Sequence, residues 1–189
     1  MNKSKYYLFA VLLFVIPNFS FALIEVDITR GNLNPLPIAV SPLSVETNSV
    51  KEFKKILKND NIGQEISKVV ENNLKSSGLF NPLEKDAFLQ KPDIAHLKPR
   101  FEDWSLIKAQ ALITGEVKYQ NEKLRVEFRL WDVLAGKEMM ALAFTTVPDN
   151  WRRVGHIITD KVYQRLTGEK GYFDTRIIFV SEKGPKTNR

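Results

Sequence analysis

The sequence predicts an α/β fold in which two helices pack on a mixed, mostly antiparallel five-stranded sheet. The first observation behind this prediction is the run Lys123–Asp132, in which apolar and charged side chains alternate. The second is a pair of stretches, one after Ile62 and one after Trp151, with apolar residues at helical spacing. The third is that short turns flank the alternating run, which favours antiparallel neighbours.

Three consecutive strands between Ala111 and Val147 form the centre of the predicted sheet. The first strand, Ala111–Tyr119, turns at Gln120–Glu122 into the alternating strand, and the third strand, Met139–Val147, follows a turn at Ala135–Lys137. The alternation predicts a dry face and a wet face. The dry face carries Leu124, Val126, Phe128 and Leu130, and the wet face carries Lys123, Arg125, Glu127, Arg129 and Trp131.

Two shorter strands are predicted before this meander, at Leu23–Ile28 and at Ile38–Val40. Between them, Thr29–Asn32 reads as a turn, and Pro35 and Pro37 exclude a helix and disfavour a central strand. The residue pattern leaves two interpretations of Leu23–Ile28 open. It is either the first strand of the sheet or a mobile arm that adds to the sheet edge of a partner.

The stretch Glu46–Asn59 contains four lysines, Lys51, Lys54, Lys55 and Lys58. The spacing of Phe53, Ile56 and Leu57 permits a short amphipathic helix. A solvated face in an exposed insertion is the simplest interpretation, because runs of charge usually face water. The alternative is a surface that contacts anionic lipid or an acidic protein.

Two longer helices are predicted to cover the dry face of the meander. The first runs over Ile62–Ser77, with Asp60 or Asn61 as its N-cap and Gly78 after its last turn. The second runs from a cap at Asp149 or Asn150 to about Thr167, and Gly168 ends it. One more strand is predicted at Thr175–Ser181.

The connection Glu84–Asp103 is predicted to be irregular, with at most a short strand at Ala87–Leu89. A turn or two of helix is expected over Phe101–Lys108. Trp104, Leu106 and Ile107 are expected to be buried there, just before the meander begins.

The first 22 residues are typical of a secretory signal peptide. Lys3 and Lys5 precede an apolar run from Tyr6 to Ile16, which is short against the roughly 20 residues of a membrane-spanning helix, and small residues precede a cleavage point after Ala22. The net charge of +6 falls slightly when this segment is removed, so the exported chain is mildly basic. A charge this small does not by itself indicate binding to nucleic acid. The absence of cysteine excludes disulfides and thiolate chemistry.

No motif in the sequence points to catalysis. His96 and His156 lack a second ligand at metal-binding spacing, so no metal and no cofactor are expected. A Ser/His/Asp triad is not excluded by counting, but there is no Gly-x-Ser-x-Gly elbow and no phosphate-binding glycine loop. Trp131 among basic residues could stack on a nucleic acid, but a covered sheet face explains it more simply. The inventory favours a protein that is not an enzyme.

Several stretches, in order along the chain, resemble the TolB family of the Gram-negative envelope. They cover nearly all of the region from Leu23 to Val180. The most specific are Phe80-Asn81-Pro82-Leu83 and the run Leu166-Thr167-Gly168, Gly171 and Thr175-Arg176-Ile177. The others are the start through Pro42, with Gly31 and Pro37-Ile38, and then Asn61-Ile62-Gly63, Trp104-Ser105-Leu106 before Ala111–Gly115, and Trp151-Arg152 with Gly155-His156.

The resemblance implies a periplasmic, non-catalytic adaptor of the Tol–Pal system, which maintains the outer membrane and draws it inward at cell division. It implies an N-terminal α/β domain followed by a six-bladed β-propeller that binds the lipoprotein Pal. It also implies that the first mature residues bind the C-terminal domain of TolA. Of the two interpretations of Leu23–Ile28, the resemblance therefore favours the partner-binding arm over the first strand of the sheet. The implied TolA-binding arm consists of Leu23, Ile24, Glu25, Val26, Asp27, Ile28, Thr29, Arg30, Gly31, Asn32, Leu33 and Asn34.

The expected organisation is a signal peptide at 1–22, the arm at 23–34, the α/β domain at 35–172 and the truncated start of a propeller at 173–189. Pal binding is not expected, because the propeller is missing from the printed chain. Thr29 and Arg30 stand where the family usually has an acidic residue and a serine. Two rival expectations are an envelope binding module that uses the Lys51–Lys58 face and a hydrolase without a recognisable motif.

Overall fold

The computed structural model describes Ile24 and residues 34–175. The signal peptide, most of the strand predicted at Leu23–Ile28 and nearly all of that at Thr175–Ser181 lie outside the described residues. In chain order the elements are β1 (Leu36–Val40), β2 (Ser44–Val45), α1 (Thr47–Leu57), α2 (Ile62–Ser76), β3 (Phe80–Pro82), α3 (Pro92–Ala95), α4 (Phe101–Leu106), β4 (Ala111–Gln120), β5 (Lys123–Asp132), β6 (Lys137–Thr146) and α5 (Trp151–Thr167). Short 3₁₀ turns lie at Lys85–Ala87 and Pro148–Asn150.

The sheet is mixed, and its strand order is β3-β1-β4-β5-β6 with β2 also beside β4. The pairs β4–β5 and β5–β6 are antiparallel, whereas β1 pairs in parallel with both β3 and β4. This confirms the predicted fold class of two helices on a mixed sheet. The described sheet also contains two short strands, β2 and β3, that the sequence pattern did not predict.

The meander confirms the predicted alternation. The side chains of Leu124, Val126, Phe128 and Leu130 on β5 are fully buried against the helices. Asn121 and Glu122 both have positive φ, at 50° and 60°, as a two-residue turn between right-twisted strands requires.

Pro37 lies on an interior strand, although proline was expected to disfavour such a position. Its carbonyl accepts a hydrogen bond from the backbone N–H of Gln110 at 3.0 Å. Because the N–H and C=O of one strand residue point the same way, its missing N–H would face the chain before β4 begins. The proline therefore costs the sheet no ladder hydrogen bond.

Helices α2 and α5 pack against each other and cover the dry face, as predicted. The side chains of Asn61 and Asn150 make no capping hydrogen bond, so the predicted N-caps hold by position only. The two C-terminal glycines do adopt the left-handed conformation, with φ of 73° at Gly78 and 77° at Gly168.

The other face is only partly wet, which corrects the prediction of a solvated face. The connection between β3 and β4 crosses it and buries a second apolar cluster around Trp104 and Leu112. Gln90 holds this connection together: its side chain bonds the carbonyl of Lys98 at 2.9 Å, the N–H of Arg100 at 2.9 Å and the indole of Trp104 at 3.1 Å. Dense local hydrogen bonding replaces regular structure here.

Two smaller expectations for this connection were wrong. The residues around Ala87 form a 3₁₀ turn in place of a short strand. Leu106 is 74% exposed, because Trp104 fills the contact with the sheet and the helix is too short to bury a second position.

At Gly63, helix α2 lies close against the connection between β1 and β2, because a Cβ at this position would overlap the carbonyl oxygen of Leu43. Gly63→Ala is expected to lower the free energy of unfolding by about 1–3 kcal/mol, measured by urea denaturation. Asn72→Ala, at an exposed position of the same helix, is the control and should be neutral or slightly stabilising. Equal stability of the two variants would contradict the close packing.

Candidate functional site

The predicted arm, Leu23–Asn34, is described only at Ile24 and Asn34, and its other residues lie outside the described part of the chain. Asn34 is exposed just before β1. Ile24 is partly buried against the main core, and its backbone N–H donates to Asp132 Oδ2 at 3.4 Å. Asp132 pairs with Ala111 and Lys137 at the ends of the neighbouring strands. Both described arm positions therefore lie at the end of the sheet where β1, β4 and β6 begin.

Asp132 is 1% exposed and ends β5. Its Oδ1 accepts the backbone N–H of Ala135 at 2.8 Å, and its Oδ2 accepts that of Ile24. A buried carboxylate needs such donors, since an unpaired one is costly. One side chain thus orders the β5–β6 turn and contacts the arm, which sequence reasoning missed because Asp132 looked like an ordinary strand end.

An open groove of about 650 Å³ lies at the same end of the sheet. Its lining is largely apolar and includes Phe101, Leu106, Val133, Leu134 and Gly136. Leu106 and Leu134 are 74% and 69% exposed, which is unusual for leucines so close together on a surface. The groove gives this end of the domain an exposed apolar surface.

A serine, a histidine and a carboxylate meet on the second face, although they are far apart in sequence. Ser44 Oγ lies 3.2 Å from His96 Nδ1, and His96 Nε2 lies 3.9 Å from Glu116 Oε2. The second distance is too long for the hydrogen bond that orients a catalytic histidine. Glu116 instead pairs with Lys118 at 2.7 Å, and its hydrogen bond raises the pKa of Lys118 above the usual value. The arrangement fastens α3 to the sheet and offers no activated nucleophile.

The other residues weighed for chemistry also have structural partners. His156 Nδ1 lies 2.9 Å from Asn73 Nδ2, which ties α5 to α2. Trp131 packs edge-to-face with Phe101, and its indole N–H donates to Thr114 at 2.9 Å, so the ring is no free stacking platform. Among the residues that the structure describes, no three acidic or histidine side chains are grouped to hold a metal ion.

The charged side chains of β5 form pairs along the sheet face. Arg125 Nε donates to Glu127 Oε1 at 2.9 Å, and Arg129 pairs with Glu138 at 3.1 Å. The hydrogen bond from Arg125 holds the pKa of Glu127 below its usual value. Arg125 and Arg129 are therefore each paired with an acidic side chain on this face.

Residues 24–139 match the model of the TolB amino-terminal domain. The chain belongs to this family. The TolB match begins inside the predicted arm and ends within β6. Within Ile24 and residues 34–175, no helix combines the length and hydrophobicity needed to cross a bilayer.

Two known proteins illustrate the relationship. A curated Tol-Pal system protein TolB from Pelagibacter ubique (strain HTCC1062) is 78% identical over 183 residues, which are 97% of this chain and 41% of that protein. The chain thus spans less than half the length of this relative. The crystal structure of TolB from Acinetobacter baumannii shares the fold with a TM-score of 0.59 at 20% identity, over 80% of this chain and 33% of that one.

Asp132→Ala is expected to lower the free energy of unfolding by about 1–3 kcal/mol, because the N–H of Ala135 loses its acceptor. Asp132→Asn keeps one carbonyl oxygen and should cost less. Urea denaturation of both variants measures the effect, with the exposed Glu102→Ala at the same end of the sheet as the control. A wild-type midpoint for Asp132→Ala would show that the carboxylate does not order the turn.

Glu127→Gln should destabilise the domain at neutral pH and lose its effect in acid. The lowered pKa of Glu127 means that its ion pair contributes stability above the unfolded-state pKa, and that this contribution disappears as pH falls through the folded-state pKa. The pair is partly solvated, so the difference at about pH 7 should be only about 0.5 kcal/mol. Urea denaturation across the acid range tests this, with Glu122→Gln in the exposed β4–β5 turn as the control. A difference that grows toward low pH would contradict the assignment.

Proposed function

We propose that this chain is a non-catalytic periplasmic adaptor of the Tol–Pal system that acts by binding the C-terminal domain of TolA. Through that contact it supports outer-membrane integrity and envelope invagination at cell division. The observation that carries the proposal is the 78% identity, over 97% of the chain, with a Tol-Pal system protein. The signal-peptide pattern of residues 1–22 supports the periplasmic location.

The proposed contact is strand addition by the arm, Leu23–Asn34. Val26 and Ile28 alternate with Asp27, as one face of an added strand requires. The arm joins the domain through Asn34 and Pro35, both exposed, immediately before β1. Because β1 is paired on both sides, it supplies a rigid base from which the arm can reach a partner's sheet edge.

The proposed organisation keeps the boundaries expected from the sequence: a signal peptide at 1–22, the arm at 23–34, the α/β domain at 35–172 and the start of a propeller at 173–189. No Pal contact is proposed for this stretch, because the family resemblance assigns that contact to the propeller. The absence of an activated nucleophile at Ser44 and His96 supports a non-catalytic role.

Calorimetric titration of residues 23–189 with the C-terminal domain of TolA tests the proposal. Binding is expected for the chain with the arm and is expected to vanish when residues 23–34 are removed. Ile28→Asp should weaken binding at least about tenfold, because it places a charge on the apolar face of the added strand. Asn32→Asp, a polar change in the same arm, is the matched control.

Equal melting temperatures of the full-length and shortened chains would show that lost binding is not lost folding. Binding that survives removal of the arm would overturn the arm as the contact. No binding by either chain would overturn the proposed TolA adaptor role for this stretch.

A further inference from the structure

Helix α1 is a fixed part of the domain at the end of the sheet opposite Ile24 and Asp132. Phe53 is 0% exposed and packs edge-to-face on Tyr119, with ring centroids 5.7 Å apart. Ser49 Oγ accepts the backbone N–H of Tyr119 at 2.8 Å. Since Tyr119 lies near the end of β4, α1 is held across the far end of the meander. The lysine-rich stretch is therefore a rigid helix and not a loose insertion.

The four lysines of the stretch all point away from this attachment. Phe53 marks the buried side of the helix, and Lys51, Lys54 and Lys55 are exposed on its other side. Lys58, the left-handed residue that follows the last turn of the helix, is also exposed. Lys54 lies 3.7 Å from Asp60, a well-solvated pair, and no ion pair is recorded for the other three lysines among the described residues. Glu52 is the one acidic residue within α1. The outer face of the helix is thus strongly basic.

Exposed apolar side chains border this basic face. Ile56 on the helix is 41% exposed. The 3₁₀ turn Pro148–Asn150 packs against α1, and Val147 just before it is 52% exposed. Just after the turn, Trp151 is half-buried, and the guanidinium carbon of Arg152 lies 4.6 Å from the centroid of its ring. Lysine and arginine beside an amphipathic tryptophan and exposed aliphatic residues are the composition of a membrane-interface surface.

The shape of this surface also favours a bilayer over a peptide partner. The lysines lie on the convex outer side of a helix, and no residue of α1 lines the apolar groove at the other end of the sheet. A bound peptide needs a groove or a free strand edge, whereas a lipid headgroup layer accepts a convex basic surface.

We propose that α1 and the adjoining segment Val147–Arg152 form a peripheral docking surface for anionic phospholipid, which we name the basic corner. Its residues are Lys51, Lys54, Lys55, Ile56, Lys58, Val147, Trp151 and Arg152. The attraction comes from the lysines and from Arg152, and the exposed aliphatic side chains enter the headgroup region. The basic corner lies at the end of β4 opposite Asp132 and Ile24, about 30 Å away along the length of this strand.

Co-sedimentation of residues 23–189 with large vesicles tests the basic corner. One set of vesicles contains about one third phosphatidylglycerol in phosphatidylcholine, and the other contains phosphatidylcholine only. The chain is expected to sediment with the anionic vesicles at about 50 mM salt, and much less at about 500 mM, because salt screens solvated charges. Sedimentation with neutral vesicles to the same extent would overturn an electrostatic surface.

Charge reversal locates the surface on the domain. Lys51→Glu with Lys55→Glu should weaken binding to the anionic vesicles by about tenfold or more. The matched control is Lys68→Glu with Lys75→Glu, the same charge change at two exposed positions of α2. Equal loss in both double variants would mean that net charge and not the basic corner drives binding, and would overturn the proposal.

Two further binding measurements distinguish anionic lipid from other partners. Ile56→Asn should weaken binding at unchanged net charge, because it removes an inserting side chain. A basic corner that binds soluble polyglutamate but no vesicles would overturn the lipid in favour of an acidic protein. The readout does not involve TolA, so the basic corner and the proposed adaptor function can fail independently.

Discussion

The structure depends on strand β4, which is the one strand that joins the parallel and antiparallel halves of the described sheet. It pairs with β1 and β2 on one side and with β5 on the other. Ala111, Leu112, Ile113, Thr114 and Gly115 are buried in succession, because both faces are covered along this stretch. A Cβ at Gly115 would overlap the carbonyl oxygen of Glu127, so the close approach of β5 requires glycine there. Both apolar clusters contain residues of this strand.

The two ends of β4 also carry different kinds of surface. Ile24, Asp132 and the apolar groove lie where β4 begins, and helix α1 lies where it ends. One end therefore combines apolar surface with main-chain attachment, and the other combines positive charge with scattered apolar side chains. The two ends suit different kinds of contact: strand addition depends on backbone hydrogen bonds, and contact with anionic lipid depends on solvated charge.

Much of the fold could be predicted from particular residues. The alternation from Lys123 to Trp131 located β5, and helical spacing located α2 and α5 to within a residue or so. The predictions were weaker where a local pattern competes with tertiary packing. Leu106 was expected to be buried because its side chain is apolar, but it is exposed. Pro37 was expected to disfavour a central strand, but it lies on an interior strand of the sheet. For the candidate site, the sequence predicted the segment Leu23–Asn34 but not the contact between Ile24 and Asp132. Residues 108 positions apart form that contact, so no local pattern of side chains indicates it.

The sequence by itself determined the type of each long element, because the periods of two and of 3.6 residues are written in neighbouring side chains. It also carried the resemblance that the family match confirmed. Only the tertiary structure decided which segments meet. It placed Ser44 against His96, Ile24 against Asp132 and Phe53 against Tyr119, in each case across a long sequence separation. Such contacts follow from how layers pack around a shared strand, and no local pattern of side chains encodes them.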